Sequence, residues 1–143
     1  MSSKVFDKKL DNLPDVLKNI IYSYIPKYIT IILTKSNYIE DHCFIRCFIK
    51  PQKKEQYIRD MICRDNDFVF KYLLFENYNR WLNMKKYYYK ECIYTNYLYF
   101  LEYYAEENNS DKCLNLIEKF LEEQGLSKNQ HKKKIFNYIR WKN

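Results

Sequence analysis

Apolar side chains recur every three or four positions along most of this chain, which is the spacing that places them on one face of an α-helix. The first clear case runs from residue 13 to residue 38, where Leu13-Pro14 opens a short helix and Pro26 separates it from a second, very apolar helix. Proline suits the first turn of a helix because its missing N–H is not needed there. The apolar face of the first helix comprises Val16, Leu17, Ile20, Ile21, Tyr24 and Ile25. A face of this kind needs a partner surface, either in this chain or on another protein.

Helical spacing continues to the end of the sequence, and polar residues that commonly cap helices mark the starts of the segments. We expect Ser36 to cap a helix that is buried on most sides and ends before Pro51. Asp65, Thr95 and Ser110 are expected to cap three later helices, and a turn is expected near residues 77–79, with Trp81 and Leu82 packing inwards. The most regular helix has the stripe Cys113, Leu114, Ile117, Phe120 and Leu121, and Gly125 stands where a left-handed stop is expected. A last helix is predicted over residues 128–141, behind a capping box of Ser127 and Gln130.

No segment shows the period-two alternation of a half-buried strand, and glycine and proline are too scarce for an architecture of many tight turns. We therefore predict an all-α fold, a single compact domain of about six to eight short helices. Residues 1–12 form a polar N-terminus, and residues 13–50 form the first helical segment. Residues 51–143 complete the same domain and end in a basic helix.

The stretch LPDVLKNIIYSYIP resembles the opening of an F-box, the helical module that docks onto the Skp-type adaptor of SCF ubiquitin ligases. The resemblance rests on Leu13-Pro14, Ile20-Ile21, Tyr24 and Ile25-Pro26, with Lys35 and Tyr38 near the closing lysine and aromatic of that module. Compared with an F-box, the connection from Pro26 to Lys35 is shorter, and Tyr38 stands where tryptophan is common. As a whole, the chain also resembles small proteins of giant DNA viruses.

These resemblances imply a non-enzymatic protein-interaction adaptor of viral origin that acts in the host cytoplasm and recruits a Skp-type adaptor. The residues that would bind the partner are Leu13, Pro14, Leu17, Ile20, Ile21, Tyr24 and Ile25. The resemblance to viral proteins implies a source but no mechanism.

Positive charge is concentrated at the end of the sequence. Residues 127–143 contain six basic residues and no acid, and so hold most of the net charge of +7. Lysines and arginines can neutralise phosphates, and aromatic rings can stack on bases. An alternative function is therefore a basic nucleic-acid-associated protein or a structural protein of the virion. The residues that would bind nucleic acid are Lys128, Lys132, Lys133, Lys134, Arg140 and Lys142.

Residues 80–104 are rich in aromatics and allow two interpretations. They could wall a groove for a peptide or for single-stranded nucleic acid, or they could form the core and its rim, because tyrosine can bury its ring and still hydrogen-bond through its hydroxyl. The chain has 16 tyrosines but one glycine. Its composition favours residues with A/T-rich codons, so mutational drift can account for part of the aromatic content. The core is the favoured interpretation.

The sequence offers little catalytic chemistry, and we expect no enzymatic activity, cofactor, metal or small-molecule substrate. A single glycine excludes phosphate-cradling loops of the GxGxxG or P-loop kind. Cys43 and Cys47 lie one helical turn apart beside His42, but a structural zinc site needs four ligands and no second pair is present. Five cysteines without a signal-peptide core indicate reduced, buried thiols. No apolar run approaches the roughly 18 residues of a membrane span.

Overall fold

The computed structural model describes residues 12–126 and the backbone of residues 134 and 135. The chain divides into two compact units, Met1–Pro51 and Gln52–Asn143. The described residues form seven α-helices, one short 3₁₀ helix and a small antiparallel sheet. The predicted helical class is therefore confirmed, and the helix number lies within the expected range. The sheet is a departure from the prediction.

The first unit contains helices α1 (Asp15–Tyr24), α2 (Lys27–Leu33) and α3 (Lys35–Phe48). Pro26 precedes α2 with an extended backbone, which confirms the predicted break between the first two helices. The cap of α3 is Thr34 and not Ser36, because the Thr34 hydroxyl accepts the Asn37 N–H at 3.1 Å. The prediction that this helix is buried on most sides is wrong, since Tyr38 is its one buried residue.

The second unit begins at the 3₁₀ turn and continues through four helices and three strands. In chain order these are the 3₁₀ helix Pro51–Lys53, α4 (Lys54–Cys63), α5 (Asp67–Asn83), β1 (Lys85–Tyr89), β2 (Cys92–Asn96), α6 (Tyr97–Glu107), α7 (Asp111–Glu123) and β3 (Lys134–Ile135). The turn predicted near residues 77–79 is wrong, since helix α5 continues through these residues. The Asn77 side-chain amide donates to the Leu73 carbonyl of the same helix at 2.9 Å. Trp81, near the end of α5, is fully buried as expected.

The core of the second unit surrounds α6, which buries seven of its eleven residues. Aromatic rings meet at Phe100, whose centroid lies 4.6 Å from that of Tyr87 and 4.7 Å from that of Tyr89. Trp81 packs on Tyr97, which is also a residue of α6, with ring centroids 5.6 Å apart. The stripe predicted for α7 is confirmed at Cys113, Ile117, Phe120 and Leu121, all of which are buried in this core.

The sheet has the order β1-β2-β3, and both pairings are antiparallel. β1 and β2 form a hairpin in which Tyr89 pairs with Cys92 across a two-residue turn. Lys134 and Ile135 pair with Tyr94 and Ile93, so the predicted last helix is wrong at these two positions. β1 pairs with one edge of β2. The N–H and C=O groups on the other edge of β2 would be unpaired without a neighbouring strand, and β3 is that strand.

Helices α4, α6 and α7 end with the same pair of backbone hydrogen bonds. After α7, the Gly125 N–H donates to the Glu122 carbonyl and the Leu126 N–H donates to the Leu121 carbonyl. This is the Schellman arrangement, which requires a left-handed residue, and Gly125 has φ +67 as predicted. Asp65 and Asn109 take that role after α4 and α6, with φ 47 and 54. Asx residues tolerate this conformation better than other non-glycine residues.

The two tight connections, α4–α5 and α6–α7, are joined by hydrogen bonds between them. The Asp65 carboxylate accepts the N–H of Cys113 at 3.0 Å and that of Lys112 at 3.4 Å, and so caps α7. In return, the buried Ser110 hydroxyl donates to the Ile62 carbonyl at 2.6 Å. The predicted caps Asp65 and Ser110 therefore act across the turns, and each helix that they were expected to cap has another acceptor.

Asn66 and Asn96 are the residues that cap α5 and α6. The Asn66 side chain accepts the Val69 N–H at 3.2 Å, and the Asn96 side chain accepts the Tyr99 N–H at 2.9 Å. Each lies one residue after the predicted cap, Asp65 or Thr95. Thr95 instead belongs to β2.

Replacing Asp65 should show how much the bond between the two turns contributes to stability. We expect Asp65→Ala to lower the free energy of unfolding by about 1–3 kcal/mol, through loss of the cap and through the left-handed backbone that alanine disfavours. Asp65→Asn keeps an acceptor oxygen and tolerates the same φ, so its loss should be clearly smaller. Urea unfolding followed by circular dichroism measures both. Equal losses for the two variants would contradict the capping role.

Partly buried Tyr87 and buried Tyr97 should respond in opposite ways to removal of the hydroxyl. The Tyr87 hydroxyl donates to Glu55 Oε2 at 3.0 Å, whereas the buried Tyr97 hydroxyl has no hydrogen-bond partner among the described residues. Because an unsatisfied buried hydroxyl costs about 1–3 kcal/mol, Tyr97→Phe should leave stability unchanged or raise it. Tyr87→Phe should lower it by about 1 kcal/mol. A larger loss for Tyr97→Phe in urea unfolding would show that its hydroxyl is bonded.

Candidate docking surface

Helix α1 presents an apolar stripe to solvent. Val16, Leu17, Ile20 and Tyr24 lie within about 100° of one another around the helix axis, as the helical periodicity of 3.6 residues requires. Their exposed fractions are 70, 45, 49 and 83%, respectively. These four residues are called the α1 stripe below. They form one continuous face along the length of the helix.

The side of α1 that is least exposed is a different one. Lys18, Ile21 and Ile25 are half-buried and lie about 100–160° around the axis from Ile20. No residue of α1 is fully buried. Lys18 forms an ion pair with Asp15 one turn earlier, with 3.4 Å between nitrogen and oxygen. The most apolar face of α1 is therefore not its least exposed face.

The seven residues predicted to bind a partner divide into two groups. Pro14, Leu17, Ile20 and Tyr24 are exposed, and Leu13, Ile21 and Ile25 are half-buried. Pro14 directly precedes the helix, where its carbonyl accepts the N–H groups of Leu17 and Lys18. Val16 was not among the predicted residues, although it belongs to the same apolar face and is more exposed than Leu17.

A second apolar cluster lies on α2 and α3. The rings of Tyr28 and Phe48 have centroids 5.8 Å apart, and both side chains are about half exposed. Phe44 is one turn before Phe48 on α3, and its ring lies 4.5 Å from the Lys27 ammonium group. Lys27 also lies 3.6 Å from an Asp41 carboxylate oxygen. The shared face of Phe44 and Phe48 is visible in the sequence, but spacing alone does not tell whether a face is covered.

Exposed apolar residues are unevenly divided between the two units. Among the described residues, thirteen large hydrophobic side chains are exposed, and eleven of them belong to the first unit. The two in the second unit are Phe75 and Tyr88. The second unit accounts for most of the described chain, yet it contributes only these two of the thirteen exposed side chains. Within residues 12–51, the buried hydrophobic residues are Ile31 and Tyr38.

The aromatic side chains of residues 80–104 lie in the core or pack against it, except that of Tyr88. This confirms the favoured interpretation of the segment. Tyr94, Tyr97, Tyr99 and Phe100 are buried. Tyr88 is 64% exposed, on the face of the hairpin opposite to that of Tyr87 and Tyr89. The lysines next to it, Lys85, Lys86 and Lys90, are also exposed.

Five of the six predicted nucleic-acid-binding residues, Lys128, Lys132, Lys133, Arg140 and Lys142, lie outside the described residues. For Lys134 the structure describes the backbone, which belongs to β3. The capping box of Ser127 and Gln130 lies outside the described residues as well.

The thiols and histidines form no cluster in the described part of the chain. Burial, with Asp65 nearby, raises the pKa of the Cys113 thiol to about 12, so it stays protonated at neutral pH. Exposed Cys63 hydrogen-bonds to the Tyr104 hydroxyl at 3.3 Å, and that bond raises the pKa of Tyr104 to about 12. His42 contacts the Ile39 carbonyl of its own helix at 3.0 Å. Within the described residues, no three His, Cys, Asp or Glu side chains come close enough to hold a metal ion.

None of the helices in the described ranges has both the length and the apolarity that a membrane crossing needs. Comparison with known proteins adds no relative. No family model, no curated protein and no solved structure shows significant similarity to this chain.

Proposed function

We propose that this protein is a non-enzymatic interaction adaptor that binds a partner protein through the α1 stripe. The observation that supports the proposal is the orientation of α1, whose most apolar face is exposed. Contiguous apolar patches of more than a few hundred Å² are uncommon on monomers and mark interaction sites.

The length of α1 supports the same proposal. A helix of about 12–15 residues or fewer is marginal in water unless its apolar face is packed, and α1 has ten residues and no buried side chain. Full burial of a Val, Leu or Ile side chain contributes about 1.5–3 kcal/mol. Because between 45 and 83% of each of these residues is still exposed, covering the stripe would contribute on the order of 1 kcal/mol for each residue. A partner would therefore stabilise the helix as well as bind it.

The partner proposed first is a Skp-type adaptor, because the residues of the stripe overlap those that resemble the opening of an F-box. Leu13, Pro14, Ile20 and Ile21 are the positions that such a module would press against the adaptor. The host cytoplasm is the compartment that this partner implies.

Substitution within the stripe should separate binding from folding. We expect the double variant Leu17→Ser/Ile20→Ser to lose capture of a purified Skp-type adaptor, with a change in unfolding free energy of about 1 kcal/mol or less, because both side chains are already half exposed. Ile31→Ala, at a fully buried position of the same unit, should cost about 2–5 kcal/mol. Pull-down and thermal unfolding measure the two effects.

Phe75→Ser is the matched control for this experiment, since Phe75 is similarly exposed but belongs to the second unit. It should keep the capture of the wild type. Absence of capture by the wild-type protein would exclude the Skp-type partner. A loss of stability in the double variant as large as that of Ile31→Ala would mean that the stripe is part of a core.

A second candidate function, binding of nucleic acid, is favoured by the distribution of charge. Residues 52–126 have 11 basic and 13 acidic residues, whereas residues 127–143 have six basic residues and no acid. A segment of this kind can bind phosphates without sequence preference. A role in the virion would fit the same property.

Charge reversal tests this second function. The variant Lys132→Glu/Lys133→Glu/Lys134→Glu should bind DNA much more weakly and with a flatter salt dependence, because each lost phosphate contact removes about 0.7–0.9 from the slope of log K against log salt. Fluorescence anisotropy at several salt concentrations measures both quantities. Equal binding of the variant and the wild type at low salt would exclude a role for these lysines.

A further inference from the structure

The sheet brings together two parts of the chain that are far apart in sequence. β3 contains Lys134, in the basic segment 127–143, and it pairs with β2. β2 pairs on its other side with β1, which carries the exposed lysines Lys85 and Lys86. Adjacent strands lie about 4.8 Å apart, so β1 and β3 are separated by roughly 10 Å. One lysine of the basic segment, Lys134, therefore lies in the same small sheet as the basic hairpin.

Tyr88 is the aromatic residue on the outer face of this sheet. Side chains alternate between the two faces of a strand. Tyr87 and Tyr89 pack on Phe100 in the core, and Tyr88 between them is 64% exposed. Its cross-strand partner is Ile93, which is half-buried. The exposed ring has no structural role in the core of the second unit.

Positive charge surrounds this ring on β1 and at the turn. Lys85 and Lys86 precede Tyr88 by three and two residues, and both are exposed. Lys86 has a left-handed backbone with φ 57, so the strand alternation is interrupted there. Lys90 lies in the turn, two residues after Tyr88. Between residues 84 and 92 there are three lysines and one acid, Glu91. Lys90 forms an ion pair with Glu107 at 3.1 Å, which leaves Lys85 and Lys86 as the nearest exposed cations of β1 without an acidic partner among the described residues.

We infer that the exposed side chains of the β1–β2 hairpin bind single-stranded nucleic acid, with a base stacked on Tyr88 and phosphates neutralised by Lys85 and Lys86. This inference rests on the second candidate function and gives it a site and a ligand class. The charge of the hairpin favours a polyanion, and the exposed ring favours a ligand with free aromatic faces. Single strands offer both features because their bases are not enclosed in a duplex.

The inferred site predicts that substitutions affect the binding of single strands and of duplexes differently. A duplex keeps its bases paired and stacked, so its phosphates can contact the lysines but its bases cannot stack on the ring of Tyr88. Loss of the ring should therefore weaken the binding of single strands selectively. Loss of the lysines should weaken the binding of both, and should lower the salt dependence.

Anisotropy with a 16-nucleotide oligo-dT strand and a duplex of the same length tests this separation in the full-length protein. Tyr88→Ala should weaken oligo-dT binding about tenfold, because the stacking of a base on the aromatic ring is lost. Tyr88→Phe keeps the ring and should bind like the wild type. Lys85→Gln/Lys86→Gln should lower the salt slope for the single strand by about 1.4.

The charge-matched control is Lys71→Gln/Lys119→Gln, which changes two exposed lysines on α5 and α7. It should keep the affinity and the slope of the wild type, and circular dichroism should confirm that every variant is folded. If Tyr88→Ala binds oligo-dT like the wild type, the inferred site is wrong although the second function stands. If the control pair weakens binding as much as the hairpin pair, binding is by general charge and the site is also wrong. If the wild type binds neither oligonucleotide at low salt, both are wrong.

Discussion

The second unit depends on the enclosure of α6. Tyr97, Leu98, Phe100, Leu101 and Ala105 are each 1% exposed or less, and they point in different directions around the helix. A helix that is apolar on all sides must be covered on all sides. Helices α4, α5 and α7 and the hairpin provide that cover. Hydrogen bonds between the Asp65 turn, at the end of α4, and the start of α7 join two of these helices directly. Polar contacts at the edge of the aromatic core therefore help to position the helices that cover α6.

The elements that could be predicted from the sequence are those governed by local rules. Helix α7 has a regular stripe and a glycine stop, and both are found as expected. Caps were misplaced by one or two residues because Thr34, Asn66 and Asn96 stand next to other residues that can cap equally well. The hairpin escaped detection because three consecutive tyrosines hide the alternation of β1, and because its turn, Lys90-Glu91, lacks the glycine or asparagine that normally marks such a turn.

Long-range features had no signal in the sequence. Asp65 caps a helix 46 residues later in the chain, and no local pattern distinguishes that role from the capping of its own neighbour. The apolar faces of α1 and α3 were recognised, but helical spacing shows only that a face exists. Whether it is covered depends on what other elements are available. In the first unit few covering elements are available, and the buried hydrophobic residues among its described residues are Ile31 and Tyr38.

Compositional drift is the simplest rival explanation for the exposed side chains of the first unit. A bias towards A/T-rich codons would add isoleucine, tyrosine and phenylalanine to both units alike. These three residue types make up 16 of 51 positions in the first unit and 24 of 92 in the second, which is a much smaller difference than that in exposure. Among the described residues, the second unit exposes only Phe75 and Tyr88, whereas the first unit exposes eleven large hydrophobics. Drift acts on codons and not on solvent exposure, so it does not produce this asymmetry. A face that is covered by a partner would produce it, because such a face stays apolar while the rest of the surface remains polar.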